Sequence, residues 1–459
     1  MAALPERKLD IVRTLVEAAP DKVVEGLNLA LSQAGGDTAL ASVRRLVEDE
    51  TRDRKLRNIA LLPVVPMFVG DGGDPLRLTF PYRALGLLWR GLKSQGPAIV
   101  RNAELALYDY RPGETSTEHF DRLVRMAAKG LRAAEQPDFR LVMELCDQAR
   151  ADGAASLLAC LELSPVVRAV AHKLPEWTLQ QTGDSVAAAR VAYKDAVAVA
   201  DDAGPRFFQM LAAQLPNDWM IIRIISAVMD MPTERYLADS ELGMFGERLL
   251  HEIEDALTSL LKFDVDGGPG AALQAARCVD QATVRITELE TYVELTREHG
   301  WGQALAKHRH ALSALVEGRF RETEKTFAAA LPGERGRSGR RGPAILDAAP
   351  DARAAKRCEA LLTFVAEVRA SAGGGGFGAS RNKLLEALGE ELDQYVEGLL
   401  EQLKSGGVSD ESRARAFLAV AADFSRLVRD DKAAELVRRR AAAARPAVVD
   451  PLLGIVTGT

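Results

Sequence analysis

The run GGGGFGASRNK, residues 373–383, is the nearest this sequence comes to a phosphate cradle. Such a cradle needs GxxxxGK[ST] between a strand and a helix, so that backbone N–H groups and a lysine converge on the anion. Here the GK[ST] ending is missing, and the residues before the run read as helix. Ser380 stands where a helix N-cap is expected. The run is therefore read as a hinge.

Metal chemistry meets similar obstacles. FDVDGGPG opens like a calcium loop at Asp264 and Asp266, but position twelve is Ala275, which brings no carboxylate to close the loop. A helix-to-helix turn is expected there. RDDKAAE, residues 429–435, pairs two carboxylates, and no second acidic motif answers it. It reads as a solvated helix face. The histidines are His119, His172, His251, His299, His308 and His310, and none belongs to an HExxH. Glu247 and His251 are one turn apart, while Leu250, Ile253 and Leu257 form the apolar side of the same helix. His308 and His310 point to different helix faces. Cys146, Cys160, Cys278 and Cys358 share no metal-ligand spacing. No nucleophile elbow occurs. The sequence assigns no catalytic residue, no metal ligand and no cofactor.

One charged stretch stands out. PGERGRSGRRGP, residues 332–343, carries Arg335, Arg337, Arg340 and Arg341. These side chains can neutralise phosphates or carboxylates. The segment has no aromatic residue for base stacking, and Asp347 and Asp351 follow it. The net charge of the whole chain is −6, whereas a general polyanion binder carries a basic surplus. The stretch is read first as a tether. Its four arginines are the candidate partner-binding residues, toward an acidic protein or anionic surface rather than nucleic acid.

Positioning falls to helices. Hydrophobic residues make up 47% and charged residues 27% of the chain, as in an ordinary folded protein, so disorder throughout is excluded. Aromatics are only 5%, and alternating β-branched runs are nearly absent. Pro and Gly recur at intervals suited to short helices and loops. The expected fold is all-α: an irregular or HEAT-like helical array over residues 1–331, then a C-terminal helical bundle over 351–445. A flexible Arg/Gly/Pro linker at 332–350 separates the two, and 446–459 form a tail. Residues 59–80 resist the helical pattern and suggest a buried connector or a hairpin insert around Gly70, Gly72 and Gly73.

The repeat signal is an echo between AHKLPEWTL and AAQLPNDWMI. Pro175 and Pro216 stand about 40 residues apart, the period of HEAT-like repeats. Trp177 and Trp219 follow them and are expected in the core. Residues 271–298 and 301–330 are expected to form an antiparallel hairpin. In the C-terminal part, Leu385, Leu388, Leu392, Leu399 and Leu403 keep near-heptad spacing. That stripe pairs either with Phe417, Val420, Phe424 and Leu427 in a bundle, with Ser409 capping the returning helix, or with a second copy through residues 384–403.

The chain has 459 residues, enough for two or three domains. Its start, MAALPERKLD, lacks the apolar centre of a signal peptide, and Pro63 and Pro66 interrupt the longest apolar run, 59–69. No transmembrane segment is expected. Few, scattered cysteines suit a cytoplasmic location, and abundant Arg and Ala suggest a bacterial source. The leading expectation for function is a non-catalytic protein-interaction scaffold or adaptor with a protein partner. The alternatives are an all-helical enzyme with an unrecognised pocket and a nucleic-acid-associated protein using the Arg-rich linker.

Overall fold

In the computed structural model the described residues are 6–33, 40–200, 202–335, 341–408 and 410–444. The chain is 76% helical with almost no strand, an all-α fold. A repeat-like arrangement of these helices is not confirmed. The chain divides into two compact units, Met1–Met231 and Pro232–Thr459. Residues 232–331, which the sequence reading joined to the N-terminal array, thus share a unit with the C-terminal helices.

The first unit begins with three helices, α1 (Glu6–Ala18), α2 (Asp21–Gln33) and α3 (Ala41–Ala60). Both α1 and α2 pack on α3 through a small core of Val16, Val24, Leu31 and Val47. Arg54 on α3 ties them together. Its five N–H groups reach Glu50, Asp21 and the carbonyls of Val16, Glu17 and Ala19, so the C-terminal end of α1 is capped by a neighbouring helix.

Residues 59–80 then form a connector, not a hairpin, buried at both ends while 69–77 lie at the surface. A 3-10 turn at Val65–Met67 leads to a single bridge of parallel sense between Phe68 and Phe80. Leu61, Val64, Met67 and Phe80 are each at most 1% exposed, so the prolines bend an apolar strip into the core.

Nine more helices complete the unit: α4 (Tyr82–Gln95), α5 (Pro97–Ala106), α6 (Glu118–Ala133), α7 (Pro137–Ala149), α8 (Gly153–Ala171), α9 (Leu174–Leu179), α10 (Gly183–Val197), α11 (Ala203–Gln214) and α12 (Ile221–Met229). Pro97, Pro137 and Pro175 sit in the first turns of α5, α7 and α9, where a missing N–H costs nothing. The centre is α8, against which α6, α7, α10 and α11 pack. Among the described residues α8 alone is long and apolar enough to cross a membrane, but half of it is buried in this unit. The two LPxxW-like copies do not match structurally. Trp177 is 2% exposed on α9, whereas Trp219 lies half-buried in a 3-10 turn with the Arg223 guanidinium 5.6 Å from its ring. Trp219 is thus a partly exposed residue and not the core plug its motif suggested.

The second unit contains α13 (Glu234–Ala238), α14 (Gly243–Leu261), α15 (Pro269–Tyr292), α16 (Gly300–Ala330), α17 (Ala352–Glu367), α18 (Gly378–Lys404), α19 (Glu411–Val428) and α20 (Asp431–Ala443). The long helices α15 and α16 touch each other, and α14 and α17 pack on both of them. Between α16 and α17, Gly333–Arg335 (β1) and Arg341–Ala344 (β2) pair antiparallel, and β2 lies against α18. The leucine stripe of α18 is spent within the unit. Leu388, Leu392, Leu399 and Leu403 are at most 2% exposed, and α18 packs on α19, which brings Phe417 and Phe424. The cap of α19 is Asp410, whose carboxylate accepts from the Arg413 N–H; Ser409 lies outside the described residues.

Candidate functional site

The motifs that suggested chemistry resolve into structural parts. Phe377 anchors the glycine run and is fully buried. Ser380 is inside α18, not at its cap, and its hydroxyl donates to Glu317 at 3.0 Å. Asp264 caps the 3-10 turn Val265–Gly267, and Asp266 accepts from Arg353 and Arg357. Asp430 caps α20. Among the described residues no three His, Cys, Asp or Glu side chains converge as metal ligands. All four cysteines are free and buried, and burial pushes the Cys146 and Cys160 thiols up to about 12. A thiol so raised supplies no thiolate nucleophile.

Of the four candidate arginines, Arg335 ends β1 and Arg341 begins β2, where they are register partners. Arg337 and Arg340 lie outside the described residues.

Two features remain that sequence reading did not find. The first is a cavity of about 550 Å³ in the first unit. Its floor is the last turn of α8, with Arg168 and His172. Its wall is the loop at 107–117, with Tyr110, Gly113, Ser116 and Thr117, and Leu62 and Gln214 close it. Arg168 is the buried group, its side chain 1% exposed. Its Nε donates to Asp121 Oδ1 at 2.9 Å, Nη1 to the carbonyl of Ile59 at 2.7 Å, and Nη2 to the carbonyl of Ala60. It thereby caps α3 at the C-terminal end, while its charge rests 5.7 Å from the Phe120 ring centre. Burial pulls this guanidinium below its ordinary value, and Asp121 opposes that shift. Asp121 is held in turn by the Thr117 hydroxyl at 2.8 Å. The Gln214 amide donates to the carbonyls of Leu62 and Pro63, both at 3.1 Å, so its oxygen is left for another donor. Gly113 takes a φ of +82° against the His172 ring, and a β-carbon there would come within 2.8 Å of that ring. These residues come from positions 62 to 214, and no local pattern links them.

The second feature is the set of exposed apolar side chains on α1 and α2. Ile11 (57% exposed) and Leu15 (64%) are one turn apart on α1, and Val23 (55%) and Leu27 (37%) are one turn apart on α2. Their inner faces are already spent on α3. A second cavity beside them, about 540 Å³, is lined by charges of both signs. Lys93 there is paired with Asp53 at 2.6 Å and Arg52 with Asp49 at 3.5 Å.

The arrangement offers binding groups, and among the described residues no hydroxyl or thiol is hydrogen-bonded to a histidine ring there. The 550 Å³ cavity holds one buried cation, one imidazole and several hydroxyls. No family model matches this chain, nor does any curated protein or solved structure.

Proposed function

We propose that this protein is a non-catalytic interaction module, a scaffold or adaptor, whose docking face is the exposed apolar stripe of α1 and α2. The observation that carries this reading is the concentration of large exposed apolar side chains there. Ile11, Leu15, Val23, Leu27 and Leu29 fall within two short helices. Exposed apolar pairs one turn apart, Ile11 with Leu15 and Val23 with Leu27, mark docking sites.

The occupant is an amphipathic helix of a protein partner. Spacing of four residues on both helices offers ridges into which a third helix can set its own. Size supports one helix more than a second copy. Two helices of 13 residues, each about 20 Å long and about 10 Å wide, make a face of roughly 400 Å². An obligate dimer needs roughly 1,000 Å² or more on each side. Four free, buried cysteines suit the cytoplasm of the bacterial source inferred from composition. Arg335 and Arg341 supply a second contact. Their positive charge suits an acidic partner.

The test is a double variant, Leu15→Glu with Val23→Glu, compared with wild type in partner capture and in sedimentation. The expected result is loss of a partner retained by wild type, with unchanged melting temperature and a monomer at all concentrations. A concentration-dependent dimer abolished by the variant would transfer the face to a second copy. Undiminished capture would remove it as the docking site.

A further inference from the structure

The cavity above α8 presents one sign of charge. Its ionisable lining is Arg168, His172 and Tyr110, with no carboxylate. Asp121 neutralises Arg168 from behind and has both oxygens spent, one on Arg168 and one on Thr117. Three of the five guanidinium N–H groups are used on Asp121, Ile59 and Ala60, which leaves one on each terminal nitrogen. A guanidinium with its side chain 1% exposed is held in place by these bonds, so its remaining donors are pre-oriented at little entropic cost. Around it the Tyr110 hydroxyl and the His172 ring make no hydrogen bond to another described residue. Gln214 has spent its donors and keeps its acceptor. A ligand here must accept from Arg168 and donate to Gln214.

We propose that this cavity binds a small organic oxyanion bearing hydroxyl groups, a hydroxy-carboxylate or a phosphate ester, with its anionic end on Arg168. The Ser116 and Tyr110 hydroxyls donate to it, and a ligand hydroxyl donates to Gln214 Oε1. The volume, about 550 Å³, is that of a small-metabolite site. The N-terminal docking face plays no part, so either site can exist without the other.

The test uses the full chain with citrate and inorganic phosphate as probes, at constant ionic strength, read by thermal shift and titration calorimetry. At least one probe should bind saturably with Kd below about 1 mM. Citrate alone would assign a carboxylate, and phosphate alone a phosphate ester. Ser116 is exposed at the rim, so Ser116→Asp places a negative charge in the cavity without disturbing the core. It should weaken the bound probe about tenfold or more while the ligand-free melting temperature stays the same. Tyr110→Phe should weaken it less. Absence of saturable binding by both probes, or equal affinity in Ser116→Asp, would overturn the proposal.

Discussion

Glu234 and Gly300 occupy one corner of the second unit: a β-carbon at position 300 would lie 1.8 Å from Oε1 of Glu234. The Glu234 carboxylate accepts from the backbone N–H groups of Thr296, Trp301 and Gly302. A buried side chain on α13 thus caps the first turn of α16. Gly300 has a φ of +61°, which a side chain disfavours even without the clash. Gly300→Ala should therefore cost about 3–5 kcal/mol, strain plus loss of charge-assisted bonds. Urea unfolding measures it. Glu234→Gln keeps the shape and should cost less. A Gly300→Ala protein of wild-type stability would contradict this cap.

Asp21 sets a second expectation. Burial would raise its carboxyl. Its bond from Asn58, the Arg57 charge and the Tyr82 hydroxyl outweigh that and hold it at about 2, below its ordinary 3.8. A lowered folded value stabilises above the unfolded value and is lost as pH falls through the folded one. Stability should therefore decline between about pH 5 and pH 2. With a quarter of the side chain exposed to solvent, the contribution is about 1–2 kcal/mol. Asp21→Asn should flatten that part of the pH–stability curve relative to wild type. Parallel curves would show that the network adds nothing.

Among the described residues three non-glycine residues hold left-handed backbone at helix ends, Ala134 after α6 (φ 48°) and Asp230 and Met231 after α12 (φ 62° and 56°). Glycine relieves that strain but loses more entropy on folding. Ala134→Gly and Asp230→Gly should each stabilise by about 0.5–1 kcal/mol. The Asp230 contact with Arg190 is exposed and costs little to lose. A fall in melting temperature for both would contradict the assignment.

The two tryptophans should now behave differently. Trp177→Ala removes a fully packed ring and should cost about 3–5 kcal/mol. Trp219→Ala, half-buried beside Arg223, should cost under about 2 kcal/mol. Equal losses would restore the symmetry suggested by the repeated motif.

Trypsin should cut among the arginines at 335–341, where the sequence offers it four basic sites. The pieces should then stay together on gel filtration, because α17 packs on α15 and α16 across the cut. Separation without denaturant would move the boundary back to 332–350.

Much of this architecture was legible locally. Helix content, the prolines at helix entrances and the apolar stripe of α18 follow from neighbours within one or two turns, the range over which propensity and periodicity act. The absence of a known catalytic spacing was equally readable. The arginines were not. From the sequence their abundance pointed to phosphates or solvent. In the folded chain Arg54, Arg168 and Arg381 cap the ends of helices other than their own. Arg168 reaches carbonyls more than a hundred residues away. The same holds for the boundary at Met231, the Glu234 cap and the cavity above α8. Each depends on which segments meet in space. A guanidinium finds its acceptors only after the helices have packed, and buried carbonyls at helix ends must be satisfied by whatever donor that packing brings within reach.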